Sequence, residues 1–254
     1  MDIMPIVALL ISFGLILGGN AMEGGHISSL IQPTAGMIVL GGTIGATMLA
    51  STNDELKLML KLMKRVVMPG KSNRRKLLDD MVKVSTVVRR DGMLAVEGMI
   101  DQIESDFLKR GLRMLVDGAS GDDVRRVLEP EMELEEHHGT NAGKVLETAG
   151  GFAPTVGILG AVLGLIHVMQ NLSDPSKLGT GIAVAFVATI YGVGIANLIF
   201  IPLGSRIKKI VANDAETQAM VLSGLLGISA GVNARQIEEM LAPYAGHAEH
   251  KEAA

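Results

Sequence analysis

Residues 150–169 read GGFAPTVGILGAVLGLIHVM, and residues 179–203 read GTGIAVAFVATIYGVGIANLIFIPL. Each run is long enough for a helix to cross a bilayer core roughly 30 Å thick, and neither contains Asp, Glu, Lys or Arg. Two earlier stretches have the same character: IMPIVALLISFGLILGG at 3–19 and the shorter, glycine-rich TAGMIVLGGTIGATMLAS at 34–51. The first lacks a basic leading region and a small-residue cleavage site ahead of a soluble domain, so it reads as a retained span and not a signal peptide. Four spans are therefore expected, the third over 150–171 and the fourth over roughly 179–203.

The placement of charge orients them. Of 23 Lys and Arg, 17 fall in 52–149 and five in 204–254; Lys177 is alone in the 172–178 loop, and 20–33 has none. Short loops poor in Lys and Arg face away from the cytoplasm. Both large polar segments and both termini of this multi-pass membrane protein are thus expected in the cytoplasm. The domains that follow are 1–52 (spans one and two with a short outer loop), 53–149 (cytoplasmic helical domain), 150–203 (spans three and four) and 204–254 (cytoplasmic helical tail).

Composition narrows the chemistry. The 254 residues include no Cys, which removes disulfides, thiolate metal sites and a cysteine nucleophile. A net charge of −4 does not recommend nucleic acid as a partner. Sixteen Met and 31 Gly suit helices that approach closely and pack adaptably. No stretch has strand periodicity, so the fold class is all-α: a polytopic membrane protein with four transmembrane helices and a large cytoplasmic helical domain. In NDELKLMLKLMKRVVMP (53–69), Asn53 or Asp54 is the expected N-cap, Leu56, Met59, Leu60 and Met63 share a face, and Pro69 stops the run. KSNRR (71–75) reads as a loop, 76–116 and 122–148 as helical, ASGDD (119–123) as a break and restart, and the tail 245–254 as disordered.

The spans hold small residues four apart: Gly42 and Ala46, Gly157 and Ala161, Gly160 and Gly164, Gly192 and Ala196. Such spacing permits close helix approach and specifies packing. Thr155, Thr180, Thr189, Tyr191 and Asn197 supply hydroxyls and an amide, which in a membrane ordinarily bond their own helix or a neighbour. His167, near the end of the third span, is the one ionisable candidate and reads as an interfacial imidazole. Pro154 and Pro202 each remove a helix hydrogen bond, and mark either helix ends or a pair of hinges. Such a chain can build walls but carries no intramembrane carboxylate, so a partner must bring one if cations pass.

The runs 150–169 and VATIYGVGIANLIFIPLGSRIKK (187–209), with VVRRDGMLAVE (87–97) in the loop, resemble the MotA/PomA family, the membrane stator subunit of the bacterial flagellar motor. The resemblance implies a single-span MotB/PomB-type partner, whose aspartate carries the ion and whose outer domain grips peptidoglycan. It implies a homopentamer around two partner chains, set in membrane lipid, that turns proton motive force into torque on a rotor switch protein of the FliG type. It carries over Pro154 and Pro202 as functional prolines, and Arg89 and Glu97, placed around Gly92, as rotor-contact charges. Eight residues of helix separate those two by about 12 Å, too far to satisfy each other. Arg90 lies closer to the face of Glu97 by helical period and remains an alternative. Sodium-type members carry a threonine where Ala161 stands, while one matching Thr189 occurs in both types; protons are therefore the expected ion, although NLSDPSKLG (171–179) and FIPL (200–203) are more similar to sodium-type members. No cofactor, metal or catalytic residue is expected.

The nearest alternative is an ExbB/TolQ-type energiser ring subunit, which usually has three spans. A solute transporter would be expected to show broken helices in paired repeats and charged midplane groups. An enzyme finds little support, because the Gly192–Gly194 GxG lies in an apolar helix and His137–His138 lacks metal-ligand spacing.

Overall fold

A computed structural model describes residues 3–68, 70, 73–173 and 175–252. Every regular element among them is helical. In order these are α1 (Met4–Met22), a 3-10 turn (Ile27–Leu30), α2 (Pro33–Ala50), α3 (Asn53–Val67), α4 (Arg74–Asp91), a 3-10 turn (Met93–Val96), α5 (Glu97–Ile100), α6 (Asp106–Val116) and α7 (Gly121–Gln170). Then come α8 (Pro175–Ile195), a π turn (Ala196–Phe200), α9 (Ile201–Ser229) and α10 (Ala234–Glu252). Four helical stretches are long and apolar enough to cross a membrane: Met4–Met22, Pro33–Ala50, and portions of Gly121–Gln170 and Leu178–Ser229.

By contacts the chain forms two units, 1–69 with 138–210 and 70–137 with 211–254. In the first, α2 buries one stripe at intervals of four: Ala35, Val39, Thr43 and Thr47. Ala35 and Val39 pack on Val187 and Ala188 of α8. Tyr191 of α8 fixes the loop that precedes α2, donating its hydroxyl to the Leu30 carbonyl at 2.6 Å and accepting from the Gln32 amide at 3.2 Å. By contrast α1 has no buried residue at all. Its apolar side chains point outward, Leu10 and Leu15 being 68% and 73% exposed, which in water would be untenable and in lipid is expected.

The second unit has a water-soluble type of core. Met81, Leu108, Leu112, Leu128, Met220, Leu225, Ile228, Ile237 and Leu241 are essentially inaccessible and gather α4, α6, α9 and α10 with the start of α7. Each contributes about 1.5–3 kcal/mol by leaving water. Arg74 is only 4% exposed, yet nothing about its charge goes unanswered. Its guanidinium donates to the carbonyls of Asn213 at 2.9 Å and Tyr244 at 3.2 Å, to Thr217 Oγ1 at 3.0 Å and to Glu216 Oε2 at 3.0 Å. A planar fork of five donors suits this task better than an ammonium would.

Several local expectations change. The α3 N-cap is Thr52, not Asn53 or Asp54, because Thr52 and Glu55 form a reciprocal capping box. On α3 the buried residues are Leu62 and Val66, and Leu60 is 59% exposed. Pro69 and residues 71–72 lie outside the described residues, but Arg74 and Arg75 open α4 instead of ending a loop, with Asn73 Oδ1 accepting from the Lys76 amide. The expected helix over 76–116 is broken at Gly92, whose φ of +86° lies in the left-handed region that glycine alone adopts without strain. ASGDD acts as expected: Ser120 Oγ accepts from the Asp123 amide as α7 begins. The third span is not a separate helix, since α7 continues unbroken through 148–150. The tail is helical as far as Glu252.

Candidate functional site

The antiparallel seam between α7 and α8 is built on missing side chains. A Cβ added at Gly157 would sit 2.9 Å from the Ala188 carbonyl oxygen, and one at Gly164 2.9 Å from the Gly181 oxygen. At Gly192 it would lie 2.5 Å from the Ala153 oxygen, and at Gly160 2.8 Å from the Ala188 methyl. Real Cβ atoms do not approach this closely, so the helices meet backbone to backbone, the geometry that small residues four apart make possible. Gly42 of α2 joins the cluster, since a Cβ there would lie 2.7 Å from Val156. The partners on α8 include Gly181, Ala185 and Ala188, and the two alanines escaped notice in the sequence because alanine is too common in any helix to stand out.

Pro154 and Pro202 both interrupt this paired stretch, and neither ends a helix. Pro154 lies within α7. Pro202 is the second residue of α9, immediately after the π turn, in which the Ile201 amide reaches back to the Ala196 carbonyl. A proline ring collides with the carbonyl four residues earlier and provides no amide proton. Widening the preceding turn accommodates it, and such turns are frequent at functional sites. Beyond Pro202 the close packing resumes, with a Cβ at Gly204 only 2.7 Å from the Gly143 oxygen. There Lys208 Nζ donates to Glu147 Oε2 at 2.5 Å, both side chains about one-third exposed.

The polar groups of the spans behave as local helix chemistry predicts. Thr189 donates its hydroxyl to the Ala185 carbonyl at 3.2 Å, Thr155 to Phe152, Thr47 to Thr43 and Asn197 to Val193. Ala161 sits half-buried beside Gly160 and presents only a methyl. His167 is exposed and borders a cavity of about 290 Å³ with Thr34 and Thr180.

The charged turn belongs to the second unit. Arg89 and Arg90 close α4, Gly92 turns the chain, and Glu97 opens α5. The continuous helix assumed in comparing Arg89 with Arg90 therefore does not exist, and helical period cannot choose between them. Their partners differ instead. Arg90 grips the adjacent Asp91 through Nε and Nη2 at 2.9 and 2.7 Å. That contact raises the pKa of the guanidinium and holds the Asp91 carboxyl below its usual range. Among the described residues Arg89 and Glu97 make no ion pair, and both are exposed. Between them Leu94 is 73% exposed, although Val96 and Ile100 on the same turn are buried.

Residues 6–92 match the motility protein A N-terminal family and residues 99–220 the MotA/TolQ/ExbB proton channel family. Motility protein A of Helicobacter pylori is 34% identical over 99% of this chain and 98% of its own length. Motility protein A of Bacillus subtilis is 30% identical over 96% of the chain and 91% of its own length. Among solved structures, a chain of C. jejuni MotAB superposes with a TM-score of 0.91 at 29% identity, covering 96% of each. A chain of the flagellar MotAB stator complex from Bacillus subtilis superposes at 0.86 with 28% identity, covering 98% of each.

Proposed function

We propose, from the premise that the chain belongs to the motility protein A family within the MotA/TolQ/ExbB proton channel family, that it supplies the wall and the lever of a stator whose proton carrier sits on another polypeptide. The chain is a flagellar motor stator subunit and a multi-pass protein of the inner membrane. Its partner is a MotB-type protein, as in the MotAB complexes it superposes on.

The observation that carries this reading is the backbone-tight seam of α7 and α8, which has no carboxylate in either apolar run. Such a seam is a rigid wall, and an ion crossing beside it needs its ionisable group from elsewhere. Five copies around two partner chains would place the seams in a ring, with both termini and the segments 53–149 and 204–254 in the cytoplasm and 1–52 and 150–203 in or at the membrane. Protons are the transported ion in this proposal. Position 161 presents a methyl, and the Thr189 hydroxyl is engaged by its own helix, so few oxygen ligands are available to replace the shell of a sodium ion. Pro154 on α7 and Pro202 at the start of α9 serve as pivots through which a change at the carrier reaches the cytoplasmic helices. Arg89 and Glu97 are the handles that meet complementary charges on the rotor, with Arg90, which pairs with Asp91, as the alternative arginine.

The test is twofold. The protein extracted in mild detergent should copurify with a single-span protein bearing one membrane aspartate. Swimming driven by the pair should persist without sodium and stop with a protonophore; the opposite pattern would overturn the choice of ion.

A further inference from the structure

We infer, resting on the stator role proposed above, that Glu147 and Lys208 are positioning residues in torque transmission. They clasp α7 to α9 just beyond the uncharged runs, so that the two helices move as one lever below Pro154 and Pro202. Glu147 precedes the run 150–169 by three residues, and Lys208 follows the run 179–203 by five. Each therefore lies on the charged side of the proline in its own helix.

The clasp is reciprocal. On each helix a glycine precedes the charged residue by four: Gly143 and Glu147 on α7, Gly204 and Lys208 on α9. Each glycine makes room for the stem that comes from the other helix. A Cβ at Gly143 would sit 2.9 Å from Lys208 Cγ, and one at Gly204 would sit 3.0 Å from Glu147 Cγ. The two stems thus cross over bare backbone before their heads meet at 2.5 Å. An incidental surface pair requires neither glycine.

The π turn brings this face of α9 round to α7. Gly192 and Gly204 both abut the α7 backbone, at the Ala153 and Gly143 carbonyl oxygens. They are twelve residues apart, and over a uniform α-helix that separation would leave them facing about 120° apart. The wider turn at Ala196–Phe200 takes up one extra residue and returns Gly204, and Lys208 after it, to the seam. A pair one-third exposed adds little to stability. Its effect is on register: without it each helix bends at its own proline, and displacement within the membrane is lost as sliding between them.

The test uses the intact complex of this chain with its single-span partner. Glu147→Lys and Lys208→Glu are each compared with the double variant that carries both changes and so restores the pair with its charges reversed. Each single change should leave copurification and proton flux in liposomes near those of the unaltered complex, while stall torque falls severalfold. The double variant should recover most of that torque. Backbone amides of 143–150 and 203–210 should exchange about fivefold faster in the single variants and return toward the original rate in the double. Full torque in both single variants would overturn the clasp, as would a double variant no better than either. Loss of assembly, flux and torque in proportion would reduce the pair to packing and overturn it too. If the unaltered complex neither conducts nor turns, the stator role itself fails, and the clasp then stands or falls on the exchange rates alone.

Discussion

At the scale of single residues, proximity in sequence misleads where backbone geometry decides. Arg89 and Arg90 are adjacent and equally charged, and helical period favoured Arg90. The positive φ of Gly92 removes that helix, and Arg90 is paired with the adjacent Asp91 while Arg89 is not. No pattern in the sequence could reveal either, because both depend on how one turn is closed. Arg89→Glu or Glu97→Lys should therefore cut torque severely, and Arg90→Ala should cost less, with membrane insertion and partner copurification normal in all three. Swimming speed and stall torque provide the measurement, and an Arg90→Ala defect as deep as that of Arg89→Glu would contradict the assignment. Arg74 was equally hidden: next to it in sequence, Arg75 is largely exposed, whereas Arg74 joins α4 to α9 and α10. Arg74→Met should destabilise the second unit by about 3 kcal/mol, since it leaves several acceptors without their charged donor. Faster amide exchange in α10 would register the loss, and unchanged exchange there would count against the clamp.

At the scale of elements, the spans were legible because twenty uncharged apolar residues have few other uses, and their ends fell within about three residues of α1 and α2. Continuity was not legible. Composition changes sharply near residue 150 while the helix does not, because backbone hydrogen bonds are indifferent to whether lipid or water lies outside them. The prolines were likewise read as possible ends, whereas a π turn lets the chain pass through Pro202. If these positions are pivots, Pro154→Ala and Pro202→Ala should each assemble normally yet rotate poorly, because a straightened helix moves its cytoplasmic arm less. Normal swimming in both would remove the hinge. The start of α7 offers a pH readout. Hydrogen bonds from the Ser120 hydroxyl and amide hold the Asp123 carboxyl below its ordinary range. The cap is thus fully formed above the unfolded value of about 3.9 and is lost as pH falls through the lower folded value. Amide exchange in the first turn of α7 should be protected from pH 7 to about 5 and lose that protection only below roughly pH 4; Ser120→Ala should remove the pH dependence.

At the scale of the whole molecule, one division of labour accounts for both units. The four spans expose apolar side chains outward and contain no acid, and α2, α7 and α8 pack through glycine, while the second unit has a closed core and displays its charge. In the proposed complex a membrane part of that kind seals and supports, and the carboxylate that relays protons is the partner's. The consequence is a requirement for complementation. Reconstituted alone in liposomes under a pH gradient, the chain should leave internal pH unchanged on the timescale over which the chain with its single-span partner dissipates the gradient. Replacing the partner's membrane aspartate by asparagine should return the pair to the behaviour of the chain alone. Proton flux through the isolated chain, above that of empty vesicles, would mean that its own seam holds a carrier, and the assignment of wall and carrier to separate polypeptides would fall.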